Sequence, residues 1–391
     1  VLPIPVDVLM LVWTDVSTDA RVQREAATLA EFGHRVHVIG RAVADGYVPP
    51  PGVTVESAGV APTGIARRRR LPAPLRLARW LLLPHHVARA LRRWVAQAEP
   101  LARARRFDVV HAHDFTALPL GARLARERGV PLVYDAHEFW PGRPRSSRPA
   151  PLRHLRELRA ERRLGGSAAA VLTVGPAVAE LLRRKHGWPH VEVVRNTFPM
   201  PPAGDGPRPG PPEGLVYAGR IAAHRELEVV VQAAPALRPL TVDFVGPADE
   251  SYLAGFDRGL VEVGESLPLD VAAELLRARG LALVTHSDRW INNRVALPNK
   301  LFLAVVAGVP VVATDVPELR REVVAHDLGA LYPPGDVAGL VAAVQRVVAD
   351  YDRYAANVAA ARPELSWDKD AAVLRDVYAR LGEPVANSGS R

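Results

Sequence analysis

The sequence predicts an α/β chain built from two doubly wound, Rossmann-like domains facing a central cleft, and three observations carry that expectation. Short apolar runs of strand length alternate with segments of helical spacing, a proline- and glycine-rich stretch breaks the alternation near the middle, and the alternation then restarts. With 391 residues, 48% of them hydrophobic, the chain has material for two or three domains.

The pattern opens with the apolar run Val6–Val12, followed by Asp19–Phe32 with Val22, Ala26, Leu29 and Ala30 on one helical face, a closing Gly33 and the strand Arg35–Ile39. Further strands are expected at Phe107–His111, Pro131–Asp135, Ala169–Val174 and Val191–Val194, with helices at Thr116–Arg128, Leu152–Leu164 and Pro176–Lys185. Apolar strands joined by helices call for a parallel sheet covered on both faces. The segment Phe198–Gly214 is too rich in proline and glycine for either element and reads as the linker. After it come strands at Leu215–Ala218, Leu240–Val245, Leu260–Val263, Leu281–Val284 and Val309–Ala313, with helices at Glu226–Leu237, Asp270–Ala278, Asn299–Ala307 and Asp336–Asp350. A last amphipathic helix is expected within 366–382, and 383–391 is a polar tail. The domains are therefore set at 1–200 and 201–365.

Composition excludes several chemistries. With no cysteine there is no disulfide framework, thiol nucleophile, iron–sulfur cluster or cysteine-ligated zinc, and the default compartment is the cytoplasm. The run Val6–Val12 meets Asp15 too soon for a signal sequence or a membrane span. The net charge of +8 is uneven: residues 1–200 hold 31 Lys+Arg against 17 Asp+Glu, and residues 201–391 hold 19 against 25. Much of the excess lies in residues 67–94, where Arg67–Arg70, Arg79, Trp80, Arg92, Arg93 and Trp94 follow one another with no acid between Arg67 and Arg93. Arginines interleaved with tryptophans and leucines predict peripheral contact with the inner face of a membrane and an anionic or lipid-linked partner. No nucleic-acid-binding module frames the stretch, so nucleic acid is not expected.

In doubly wound sheets ligands bind beyond the carboxyl ends of the strands, so candidate residues are sought there. The first strand runs into Asp15-Val-Ser-Thr-Asp19 with no Gly-x-Gly-x-x-Gly, which argues against an ordinary dinucleotide site. Asp19 reads as a helix cap, and the helix start with Arg21 would favour an anion. His111 and His113, two apart on a strand, point to one face. No third ligand has an obvious spacing, so no metal is expected, and one histidine of the pair, at the strand mouth, is read as a group that meets a substrate hydroxyl. Tyr134-Asp135-Ala-His137-Glu138 places an acid and an imidazole after the next strand. In the second half, Gly219-Arg220 and Arg225 precede a helix, and Asn299-Lys300 open another; both places suit a phosphate. Asp-x-Asp occurs only at Asp350–Asp352 and Asp368–Asp370, read as solvated helix residues.

In order along the chain, Asp19-Ala-Arg-Val-Gln-Arg-Glu25, Asp108-Val-Val-His-Ala-His-Asp114, Tyr134-Asp-Ala-His-Glu138, Gly219-Arg220, Leu297-Pro-Asn-Lys-Leu-Phe302 and Ala307-Gly-Val-Pro-Val-Val-Ala313 resemble the segments of the family 4 retaining glycosyltransferases of GT-B fold. The resemblance implies that the N-terminal domain binds the acceptor, that the last helix packs back on it, and that the C-terminal domain binds a nucleotide-sugar, a UDP-sugar above all, as co-substrate with no cofactor. It implies a sugar transfer to an acceptor hydroxyl with retention, independent of metal. It places Arg220 and Arg225 on the diphosphate with Gly219, Asn299 and Lys300, His113 near the transferred sugar, and Asp15, Asp19, Arg21, His137 and Glu138 on the acceptor side. The chain departs from the family where two glutamates are usual, since Val295 and Leu303 stand at those positions and form no hydrogen bond to a sugar. That departure leaves two alternatives open: a non-catalytic GT-B partner, and a sugar-nucleotide epimerase of the same fold.

Overall fold

The computed structural model describes residues 5–59, 87–143, 151–200 and 210–382. The chain divides into two compact units: Val1–Val174 with Ala179–Val194 and Ala371–Arg391, and Gly175–Val178 with Arg195–Asp370. The passage between them falls at Val194–Arg195, ahead of the expected boundary at 200 and of the proline-rich linker, and the return falls inside the last helix, Trp367–Gly382. Residues 201–209 of that linker and the tail 383–391 lie outside the described residues.

In the first unit, β1 (Asp7–Leu11), β2 (Arg35–Gly40), β3 (Val53–Ser57), β4 (Val109–His113), β5 (Leu132–Ala136), β6 (Ala170–Thr173) and β7 (Glu192–Val193) form a sheet of order β3-β2-β1-β4-β5-β6-β7. Every pairing is parallel. All five residues of both β4 and β5 are buried, as strands sandwiched between helices require. The edge strand β3 escapes the sequence reading because Val-Thr-Val-Glu-Ser is half polar and only Val53 is fully covered.

The second unit holds β8 (Gly214–Ala218), β9 (Thr241–Val245), β10 (Glu262–Gly264), β11 (Gly280–Val284), β12 (Val311–Thr314) and β13 (Gly329–Tyr332) in the order β10-β9-β8-β11-β12-β13, again all parallel. Its core divides by strand alternation. Val216, Ala282, Val284, Val311 and Ala313 join Leu276, Leu301, Phe302 and Leu303 on one face, while Leu215, Tyr217, Leu281, Leu283 and Val312 join Leu227, Val230, Leu340 and Val344 on the other.

Each sheet has a topological switch, between β1 and β4 in the first and between β8 and β11 in the second. At such a point the connections leave in opposite directions and open a crevice at the carboxyl ends of the strands. Most of the residues singled out from the sequence gather at these two points.

Candidate functional site

At the first switch, α-helical, β4 and β5 residues meet in a buried charged network. Asp19 caps the helix Ala20–Glu31, its Oδ1 accepting from Val22 N and its Oδ2 from Thr14 Oγ1 at 2.6 Å. Asp15 caps the short turn Val16–Thr18 through Ser17 N. Both carboxylates thus hold local structure.

Arg21 is 4% exposed. It donates to Asp135 from Nε at 2.8 Å and Nη2 at 2.7 Å, to the Val194 carbonyl from Nη1 at 2.6 Å, and lies 3.0 Å from Glu25. A guanidinium so enclosed acts as the counter-ion of this buried cluster.

The two strand histidines do share a face: the His111 and His113 rings stack at 4.4 Å, 13° from parallel, and both are fully buried. His111 Nδ1 pairs with Tyr378 Oη at 3.0 Å, tying the last helix to this cluster, and His113 Nδ1 pairs with Asp135 at 3.1 Å. His113 Nε2 has no hydrogen-bond partner.

His137 stands between two carboxylates, Nε2 at 2.8 Å from Asp135 and Nδ1 at 3.3 Å from Asp114. Burial opposes its charge, but Asp114 and Asp135 outweigh burial and raise its pKa well above the ordinary histidine value. Burial likewise works against the Asp135 carboxylate, and Arg21 with His137 reverses it, holding that acid well below the usual range. Both ring nitrogens of His137 are thus engaged by carboxylates. Glu138 is paired with Arg143 Nε at 2.8 Å.

Glu25, His111, His113 and Asp135 offer ligand atoms within 4.8 Å of one another, so the helix supplies the third ligand that spacing did not reveal. The donor set suits a divalent cation in type, but its geometry does not. The lone pairs of nearly parallel imidazoles run side by side and cannot converge on one ion about 2.1 Å away, and Arg21 occupies both Asp135 oxygens.

At the second switch a lysine is buried. Tyr217 is the last residue but one of β8 and Thr285 follows β11; Lys300, in the first turn of the helix Asn299–Ala307, reaches both. Its Nζ donates to the Thr285 carbonyl at 2.9 Å and sits 4.3 Å from the centre of the Tyr217 ring. The residue is 9% exposed, and among the described residues no carboxylate pairs with it. Burial pushes its pKa well below that of a free lysine, and the nearby Arg225 adds to the shift.

Burial, then Lys300 and Arg225, also keep the neighbouring His286 neutral, and its Nδ1 has no hydrogen-bond partner. Arg225 is half-buried, while Arg220 and Asn299 are exposed. Gly219 lies where loops nearly touch: a Cβ on Gly246, whose φ is +144°, would fall 2.2 Å from the Gly219 carbonyl.

Leu303 is 6% exposed among Leu301, Phe302 and Val305, so the position where the family carries a glutamate is part of the apolar core. Val295 closes the four-residue helix Ile291–Arg294.

Two other expectations change. Asp370, expected to be solvated, is 2% exposed and accepts from Arg195 N at 2.8 Å and Thr197 Oγ1 at 2.7 Å. Of the stretch 67–94, residues up to 86 lie outside the described residues; Trp94 is fully buried, edge-on to Trp13 at 5.7 Å, and does not present itself to a lipid surface. Among the described residues no helix is long and apolar enough to cross a membrane.

Comparison with known proteins agrees with this architecture. Residues 18–197 match the family described as glycosyl transferase 4-like domain, and residues 212–350 match glycosyl transferases group 1. The chain is 29% identical over 304 residues to the glycogen synthase of Mycobacterium tuberculosis, covering 72% of this chain and 71% of that protein. It is 27% identical over 409 residues to the D-inositol 3-phosphate glycosyltransferase of Geodermatophilus obscurus, covering 93% and 84%. A third relative, the phosphatidyl-myo-inositol mannosyltransferase of Mycobacterium leprae, is 26% identical over 387 residues, covering 95% and 94%.

Among solved structures, sucrose-phosphate synthase from Thermosynechococcus elongatus superposes with a TM-score of 0.70 at 16% identity, covering 96% of this chain and 99% of that one. Anabaena HepE in complex with UDP gives 0.67 at 17%, covering 96% and 100%. With two parallel-sheet Rossmann-like domains and both family segments in order, the chain belongs to the family 4 glycosyltransferases of GT-B fold.

Proposed function

We propose that the protein transfers a sugar from a nucleoside diphosphate-sugar, a UDP-sugar first among them, to a hydroxyl of a phosphate-bearing polyol, with retention and without a metal. The observation that carries this reading is Lys300, a buried cation with a carbonyl and an aromatic ring for company but no carboxylate. A buried charge lacks compensation until an anion arrives, and Arg225 adds a second positive charge at the same strand ends. A diphosphate supplies the missing charge. HepE is solved with UDP and with UDP-glucose, which supports a uridine donor, and two of the relatives are named for inositol phosphate or phosphatidylinositol acceptors.

In the reaction the bond between the anomeric carbon and the diphosphate oxygen breaks, the acceptor oxygen bonds that carbon, and the acceptor proton leaves with the diphosphate. Arg220, Arg225, Lys300 and the helix start at Asn299 would stabilise the charge that grows on the leaving group. No protein nucleophile is required, and His113, with its unpartnered Nε2, is the proposed neighbour of the transferred sugar. The second reading, a partner without catalysis, draws on Leu303, because an apolar core position holds no ribose or sugar hydroxyl.

Thermal denaturation with UDP, GDP, TDP, ADP and NAD separates the two. A ligand at about 100 times its dissociation constant stabilises by about 2.7 kcal/mol. A shift with one nucleoside diphosphate, lost in Arg220→Ala together with transfer, is expected; no shift with any of them removes the donor site.

A further inference from the structure

Asp114 is the first residue of the helix Asp114–Arg128 and follows directly on β4, at the switch between β1 and β4. Its backbone has a φ of +60°, the left-handed region that a residue starting a helix does not need. An acid placed there only to complement the helix dipole would sit in the ordinary helical conformation.

The charges behind it form a line. The Arg21 guanidinium grips Asp135 at 2.7 and 2.8 Å, Asp135 holds His137 Nε2 at 2.8 Å, and His137 Nδ1 reaches Asp114 Oδ2 at 3.3 Å. Arg21 is 3% and Asp135 0% exposed in the side chain, whereas Asp114 retains 24%. Asp114 Oδ1 receives no hydrogen bond from the described residues. The line therefore starts in the core and delivers a fixed carboxylate oxygen to the surface, beside the half-buried Phe115.

We propose that Asp114 binds a hydroxyl of the acceptor, and that His137 is the positioning residue that fixes the carboxylate. This inference rests on the sugar-transfer reading given above. The ligand it selects at this point is a neutral hydroxyl, as on a sugar or cyclitol ring, since a second anion would be repelled. Burial alone would favour the protonated acid, but the His137 charge lowers its pKa, so Asp114 is a poor proton acceptor and a good hydrogen-bond acceptor. It orients the hydroxyl; the proton still leaves with the diphosphate.

The backbone itself supplies a clean test. Asp114→Gly removes the carboxylate and with it the pair to His137, and the tolerance of glycine for a φ of +60° offsets part of that loss; Asp114→Asn is the isosteric control. Both are assayed as the full chain for UDP-induced thermal shift, and for transfer from UDP-glucose, UDP-N-acetylglucosamine and GDP-mannose to D-inositol 3-phosphate, phosphatidylinositol vesicles and glycogen. The expected result is an unchanged UDP shift with the acceptor KM raised about tenfold or more, the loss of one charged hydrogen bond. His137→Gln should raise the acceptor KM with little change in kcat, a split that a merely structural role would not give. Parental acceptor KM in both Asp114 variants overturns the proposal alone. A UDP shift with no transfer to any acceptor by the parent chain overturns the transfer reading, and this proposal with it.

Discussion

The two sheets open at equivalent switch points and fill them in opposite ways. Between β1 and β4 buried charges of both signs meet: Arg21 lies against Asp135 and Glu25, and His137 lies between Asp135 and Asp114. Between β8 and β11 the buried Lys300 meets a carbonyl and a ring, and the nearest charges are of its own sign. The same topology thus yields one cluster in which cations and carboxylates face each other and one in which a buried lysine has no carboxylate among the described residues. Stability and binding are expected to divide along that line.

Removing Asp135 breaks the first cluster at its centre and has the largest expected effect. Asp135→Ala leaves Arg21 buried without its main partner and should cost about 3–5 kcal/mol in urea unfolding. A loss under about 1 kcal/mol would mean that the network is not what holds these elements.

The second cluster should behave in reverse. Lys300→Met removes an uncompensated buried charge, so the unliganded protein should be as stable as the parent or more so, while the UDP response weakens by about 1.5–3 kcal/mol of binding free energy. Loss of stability with unchanged UDP binding would make Lys300 structural and erase the contrast.

How much of this was visible in the sequence follows from what each feature depends on. The apolar strands and the capping role of Asp19 depend on neighbours a few residues away, and the shared face of His111 and His113 depends only on the period of two along a strand. The grip of Arg21 on Asp135 spans 114 positions, and no local spacing encodes it. The sequence therefore shows Arg21 only as a cation at a helix start, and its carboxylate partner emerges with the fold. Asp370, which holds Arg195 and Thr197 from far down the chain, was misjudged for the same reason. Strand β3 was missed on other grounds: an edge strand covered on few of its residues lacks the apolar run by which the others were found. Glu25 offered one legible signal, an acid four residues after Arg21 on a helix that is otherwise apolar on that face.

Acidity should separate the clusters again, at a smaller scale. His137 has a folded pKa above its unfolded value near 6.5, so its contribution is complete below that pH and is lost as pH rises through the folded value. Lys300 has a folded pKa below its unfolded value near 10.5, so between the two the unfolded chain binds more protons and stability rises with pH. The two slopes oppose each other in the alkaline range, each bounded by about 1.4 kcal/mol per pH unit. In unfolding measured from pH 7 to 10, His137→Gln should make stability climb more steeply with pH than in the parent, and Lys300→Met should make it climb less. Parallel profiles for all three proteins would mean that neither group titrates differently on folding.

The smallest effect tests the border of the first cluster. Asp19 touches Thr14 Oγ1 and Val22 N, both within its own turn, and has no bond to the Arg21 network. If it is only a cap, Asp19→Ala should cost about 1 kcal/mol and leave the acceptor KM where it was, in contrast to Asp114→Gly, which should raise KM. Two carboxylates at neighbouring helix starts would then do opposite things because one is spent on a backbone amide and a threonine hydroxyl and the other is held out by a histidine. A raised acceptor KM in Asp19→Ala would instead extend the acceptor surface from β4 to β1, and a capping geometry in the unliganded protein would have concealed it.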